Sequence, residues 1–289
     1  MENYTDICVQ LAISFGASFV VAFISIPLII KLASERNLYD LPGGRKIHEG
    51  KIPSFGGLAI FIGFVVSMLI WIPTYNFRDF TFLYGIGAIL ILVIIGLRDD
   101  LLPLKWWTKL LGQVIAAFVV VYFGDTHLSS LYGFFGINEV PQWLSYGLTI
   151  FVMLGLINSY NMIDGVNGLA ASIGIIASIS FGIWFMLTGH NLMMVVAFAL
   201  AGSLAAFLKF NLTPSKIFMG DTGSMLLGLL LSILAIEFIN ENNHLESSYA
   251  VDAAPVVAIG TLFIPLFDLL RVFAVRIFNG RSPFKPDRN

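Results

Sequence analysis

Three short stretches hold side chains suited to phosphate and metal chemistry. The first reads Gly96-Leu97-Arg98-Asp99-Asp100. Two adjacent carboxylates repel, and a helix C-terminus disfavours anions. A cation, a basic partner or a raised carboxyl pKa must compensate. Read alone, the pair is equally a solvated loop cap beside Arg98 and Lys105. The second runs from Asn158 to Gly168, with Asn158, Asn161 and Asp164 at every third position. In a helix these three share a face, and an Asn amide can offer oxygen to a hard cation or read a base edge. The plainer alternative is a helix–turn–helix junction with Gly and Asn as caps. The third is Phe218-Met219-Gly220-Asp221-Thr222-Gly223-Ser224. Asp221 reads as an N-cap when taken alone. A glycine-flanked helix N-terminus is also an anion site, where an Asp can hold a divalent metal that bridges to the anion.

Basic residues gather nearby in the sequence. Residues 40–57 carry Arg45, Lys46 and Lys51 and end in Gly56-Gly57. They serve either as a topology signal touching lipid headgroups or, through Lys46 and Lys51, as contacts for a polyphosphate. Asp268 and Arg271 lie three apart and read as an intrahelical pair. Together the clusters predict a metal-dependent, phosphate-handling site at headgroup level. Its simplest chemistry joins a water-soluble phosphorylated donor to a membrane-embedded acceptor.

The elements that must carry these residues are apolar helices. Of 289 residues, 57% are hydrophobic and 12% charged, about half the charge of an ordinary soluble domain. That composition excludes a disordered chain, a nucleic-acid-binding domain and a soluble globule. It predicts one all-α, polytopic transmembrane helix bundle over residues 1–289. Nine spans are expected, near 7–33, 54–72, 80–97, 105–123, 141–157, 168–187, 191–209, 222–240 and 250–278. Pro265 suggests a bend in the last. Alternate inter-span loops divide the charge unequally: fifteen of the sixteen Lys and Arg residues fall on one side and only Arg78 on the other. This places the N-terminus outside and the C-terminus in the cytoplasm. All three polar stretches then fall on the cytoplasmic face. His127, His190 and His244 fall in outer loops and read as surface residues, and 124–140 as an interfacial aromatic segment. Cys8 reads as a small apolar residue.

These motifs resemble those of the polyprenyl-phosphate N-acetylhexosamine-1-phosphate transferases, most closely the WecA/TagO-like branch that uses UDP-GlcNAc and undecaprenyl phosphate. The resemblance rests on RKIHEGKIPSFGG (45–57), GLRDD (96–100), NSYNMIDGVNGLA (158–170), FMGDTGS (218–224), and PLFDLLR with SPFKPDRN (265–271, 282–289). They follow the family's order along nearly the whole chain. The resemblance implies attack of the lipid phosphate on the β-phosphate of the donor and loss of UMP. It implies Mg²⁺ held by Asp221 and Asn161, with Asp99 deprotonating or orienting the lipid phosphate and Asp100 supporting it. Asp164 and Asn167 fall in its nucleotide motif; Asn158, Lys46, Lys51 and Arg281 join the candidate substrate contacts. The expected setting is a multi-pass plasma-membrane protein, with a homodimer among the assemblies the family forms.

Two departures stand out. Relatives often carry DGxDG where this chain reads Asp164-Gly165-Val166-Asn167-Gly168, so the second carboxylate becomes an amide. Relatives also continue past PDRN into a His-containing segment, which this sequence is expected to lack. Alternatives at this stage are the same reaction with a 6-deoxy UDP-N-acetylhexosamine or UDP-MurNAc-pentapeptide, a transporter or flippase, and an inactive homologue. Ionisable groups at span ends rather than the midplane, without an internal repeat, argue against transport.

Overall fold

The computed structural model describes residues 4–39, 52–71, 80–136 and 138–280. It is an all-α bundle, as all-round apolar runs require where no water can satisfy backbone groups. The helices are α1 (Tyr4–Glu35), α2 (Gly56–Ile70), α3 (Phe80–Leu101), α4 (Trp106–Phe118), α5 (Gln142–Ile163), α6 (Leu169–Thr188), α7 (Asn191–Asn211), α8 (Gly220–Asn243), α9 (Ala254–Thr261) and α10 (Phe263–Phe278). Among the described residues, α1, α5, α6, α7, α8 and α4 with its π-helical extension are long and apolar enough to cross a membrane. The bent pair α9–α10 makes a seventh. Helix α2 is apolar but only 15 residues long, and α3 ends in Arg98-Asp99-Asp100-Leu101.

Helix α8 is the core. It is almost wholly buried and packs against α2, α3, α5, α6 and α9. Small residues allow the close approach. A Cβ on Gly228 would lie 2.5 Å from Ile157 Cα of α5, and one on Gly96 would lie 2.5 Å from Thr222 Cα. Helix α1 packs on α2 and α7 at the periphery, and α10 packs on α5.

Two elements differ from the sequence expectation in ways that matter for the site. Helix α3 runs four residues past 97, so Asp99 and Asp100 sit on its last turn, at the helix C-terminus and not in a solvated loop cap. Helix α8 begins at Gly220, so Asp221 lies in its first turn and is not the N-cap residue. The expected bend is present: α9 and α10 meet at 74°. Pro265 is the third residue of α10. It has no N–H for the Thr261 carbonyl, and its ring crowds that carbonyl, so the break falls at Leu262.

The loop 124–140 folds back onto the far end of α8 instead of lying free. Tyr132 Oη donates to the Ile239 carbonyl (2.7 Å), and Asn240 Nδ2 donates to the His127 carbonyl (2.8 Å). The surface reading of two histidines is corrected here. His127 lies 2.8 Å from Ser145 Oγ, and His190 lies 2.8 Å from Glu241 Oε2 while stacking on Trp184. Their side chains are only 20% and 25% exposed.

Candidate active site at the start of helix α8

The site forms where the segment before α2, the end of α3, the start of α4 and the end of α5 meet the first turn of α8. The segment before α2 is stitched there through backbone. Gly56 N–H and Gly57 N–H donate to the carbonyls of Phe218 and Met219 (both 2.8 Å), and Phe218 N–H donates to the Pro53 carbonyl (2.9 Å). A Cβ on Gly57 would stand 2.0 Å from Gly223 N, so only glycine permits this approach. Gly220 has φ +73°, in the left-handed region.

Asp100 caps α8 from another helix. Its carboxylate accepts the backbone N–H of Asp221 (2.7 Å) and of Thr222 (3.1 Å), and the Thr222 hydroxyl (2.6 Å). The first four N–H groups of a helix have no partner within it, and here a carboxylate accepts from two of them. Asp164 follows the end of α5 and accepts the N–H of Gly220. Burial raises the Asp164 carboxyl well above its usual range, and the charges of Asp221 and Asp100 add to the rise.

Asp221 is the hub. Its carboxylate takes a salt bridge from Lys109 Nζ of α4 at 2.5 Å. It also accepts the Asn161 amide of α5, which donates to Ser224 Oγ at 2.9 Å as well. The Asp99 and Asp221 carboxylates lie within hydrogen-bonding reach of one another. Lys109 Nζ also reaches Asp99 Oδ2 at 3.4 Å, and Asp99 Oδ1 accepts the Leu104 N–H at 2.5 Å.

The structure therefore brings Asp99, Asp100, Asn161, Asp164 and Asp221 together. Asn158 lies one turn deeper and points elsewhere: its amide donates to Gln113 Oε1 and to the Leu154 carbonyl (both 2.8 Å). Asn167 sits at the rim and donates to Thr213 Oγ1 (3.3 Å). Its turn is anchored by buried Asn211, which accepts the Gly168 N–H (2.7 Å) and donates to the Ile217 carbonyl (2.9 Å). Lys46, Lys51 and Arg281 lie outside the described residues.

Lys109, Ser224 and Thr222 belong to the site and do not stand out singly in the sequence, where Lys109 reads only as a topology charge. A lysine in the first turn of an apolar helix carries its own signal, because a charge there needs a partner.

The donors around Asp221 are hard oxygens: two carboxylates, the Ser224 hydroxyl and the Asn161 side chain. Turning the Asn161 amide over would place its oxygen beside Asp221. This set suits a hard divalent ion that takes one or two carboxylates and completes its shell with phosphate and water. Among the described residues, no group of three or more His, Cys, Asp or Glu side chains forms a metal cage. A cation already sits between the carboxylates, namely the Lys109 ammonium.

A groove of about 660 Å³ opens beside the site, between the end of α5 and α10. Met162, Val166, Phe263, Ile264 and Phe267 give it apolar walls, and Asp268, Arg271 and Arg276 lie along it. The expected pair is present, with Arg271 Nη2 2.7 Å from Asp268 Oδ1.

Comparison with known proteins places the chain among its relatives. Residues 82–239 match glycosyl transferase family 4. The chain is 31% identical, over 97% of its length and 76% of the relative's, to a "probable undecaprenyl-phosphate N-acetylglucosaminyl 1-phosphate transferase" of Bacillus subtilis. It is 32% identical to the decaprenyl-phosphate N-acetylglucosaminephosphotransferase of Mycobacterium leprae, over 96% of the chain and 75% of the relative. It is 30% identical to the undecaprenyl-phosphate alpha-N-acetylglucosaminyl 1-phosphate transferase of Escherichia coli K12, over 89% and 69%. The chain belongs to glycosyl transferase family 4, among the WecA/TagO-like polyprenyl-phosphate N-acetylhexosamine-1-phosphate transferases.

Proposed function

We propose that this protein transfers GlcNAc-1-phosphate from UDP-GlcNAc to undecaprenyl phosphate and releases UMP. The observation that carries the reading is the convergence of Asp99, Asp100, Asn161, Asp164 and Asp221 on the first turn of one buried helix. Similarity to relatives named for this transfer supports it.

Asp221 and Asn161 would hold Mg²⁺, with Ser224 beside them. The bound ion supplies charge neutralisation at the pyrophosphate and at the leaving UMP oxygen. The first turn of α8 adds its positive dipole end to the same place. Asp99 sits on the side of Asp221 facing the α3–α4 turn and orients the acceptor phosphate. A phosphate monoester has a second pKa near 6, so at neutral pH it is largely dianionic and needs placement more than deprotonation. Asp100 acts by holding the start of α8 in position. Asp164 and Asn167 line the approach from the α5–α6 turn, where the nucleotide would lie. The groove along α10 offers the acceptor an apolar channel, with Arg271 and Arg276 for its phosphate.

The same reading takes nine spans, with α2 and α3 crossing alongside the seven units named above, the N-terminus outside and the site on the cytoplasmic face. The placement of fifteen of sixteen basic residues supports that orientation. Residues 1–289 are read as one integral-membrane catalytic domain, with a homodimer as the proposed assembly.

The test is UMP release by the purified protein from UDP-GlcNAc with undecaprenyl phosphate, in Mg²⁺ and in EDTA. Release that needs both lipid and Mg²⁺ is expected. Release without lipid, or undiminished by EDTA, would overturn the reading.

A further inference from the structure

Lys109 already occupies one oxygen of the carboxylate that a divalent ion would use. Its Nζ is 2.5 Å from Asp221 Oδ2 and 3.4 Å from Asp99 Oδ2. The three side chains are 16%, 24% and 14% exposed, so little water screens them. A cation between two carboxylates this close offsets their repulsion. A Mg²⁺ ion held between Asp221 and Asn161 would lie about 2.1 Å from a carboxylate oxygen. Asn161 reaches Asp221 Oδ1, and the Lys109 ammonium sits on Oδ2 of the same carboxylate. Two cations that close repel strongly where little water screens them.

The side chain is built to yield. A lysine ammonium is a point charge on a flexible four-carbon stem, unlike the fixed fork of arginine. Lys109 also projects from α4, whereas Asp221, Ser224 and the Asp100-capped turn belong to α8. It can leave without moving the helix that carries the donors.

We propose that Lys109 is a resident counter-cation: it holds Asp99 and Asp221 together in the metal-free protein, and the incoming divalent ion displaces it toward the donor phosphates. The inference rests on the reading of Asp221 as a metal ligand. It adds that metal binding and release of Lys109 are one event, so the site gains a mobile cation only when it is loaded.

The test uses the full chain in detergent, with Mn²⁺ as a spectroscopic probe. K109M should bind Mn²⁺ about tenfold more tightly than the wild type, because a competing charge is gone. In the wild-type protein, reductive methylation of Lys109 should quicken several-fold at saturating Mg²⁺. Lys31, whose side chain is 75% exposed, provides the unchanged reference. The labelling needs no variant, so a K109M chain that does not fold leaves the test intact. Labelling unaffected by Mg²⁺, or K109M affinity no higher than wild type, overturns the displacement. D221N separates the two readings. If it binds Mn²⁺ like the wild type, the metal assignment fails and this inference falls with it. If it loses Mn²⁺ while Lys109 labelling ignores Mg²⁺, only the displacement fails.

Discussion

Replacing Gly57 by alanine tests whether the site depends on the contact between the starts of α2 and α8. The new Cβ would stand 2.0 Å from Gly223 N and 2.3 Å from Gly223 Cα, against 3.4 Å or more in ordinary contact. Both neighbours are backbone atoms, so no side chain can swing aside. The two helix starts must part by about 1.4 Å. Overpacking of this kind costs about 1–3 kcal/mol, which a bundle of ten helices can absorb. The catalytic cost is larger. Asp221, Thr222 and Ser224 ride on the displaced turn, while Asp99, Asp100 and Asn161 stay on α3 and α5. A misplacement of about 1 Å costs on the order of 10²-fold in rate. G57A should therefore insert and remain monodisperse in detergent while kcat for UMP release falls about 100-fold. G85A on α3 is the control, because a Cβ there meets nothing within 4 Å, and it should keep near-wild-type turnover. Turnover of G57A within threefold of the wild type would show that the site does not depend on this contact.

Other perturbations separate the roles of the carboxylates and the groove. D100A strips the cap from α8 and leaves two N–H groups and a hydroxyl without an acceptor. At about 1 kcal/mol or more for each lost partner, it should lower the melting temperature by several degrees as well as abolish turnover; an unchanged melting temperature would refute the capping role. D164N should raise the melting temperature of the metal-free protein at neutral pH while impairing transfer. The fold raises this carboxyl above its unfolded value, so stability is lost as pH climbs from the unfolded pKa through the folded one. An asparagine oxygen still accepts the Gly220 N–H, so a drop in melting temperature at pH 7 would contradict the sign. R271A and F267S should each raise the KM for undecaprenyl phosphate about tenfold without altering that for UDP-GlcNAc. The opposite pattern would move the acceptor out of the α10 groove.

The sequence made some of this legible because its signals were local. Long apolar runs marked most helices, and Pro265 marked the break between α9 and α10. Asp99, Asn161 and Asp221 stood out because carboxylates and amides are conspicuous beside apolar spans. What was not legible depends on pairing between distant segments. Nothing near Asp100 says that its acceptors' partners are the N–H groups of residues 221 and 222. Asn158 shares a helical face with Asn161, yet its amide is taken up by Gln113, which only the packing of α4 on α5 reveals. Lys109 was hidden because a basic residue near a span end serves topology equally well. His190 looked like a loop residue until the fold set Glu241 and Trp184 against it.

The burial of α8 also bears on how the protein is made. The helix that carries the hub of the site comes late in the chain, after seven helices have left the ribosome. Until it arrives, the faces of α2, α3, α5 and α6 that pack on it have no partner, and neither do the close approaches at Gly57 and Gly96. Asp100 has no helix to cap, Asp99 and Asn161 have no partner on α8, and the segment at Pro53 has no backbone to pair with. A nascent chain paused after α7 thus exposes each half of the machinery without the other. Only the insertion of residues 218–243 brings Asp221 to Asp99, Lys109 and Asn161, so the cluster assembles in one late step of synthesis rather than piece by piece.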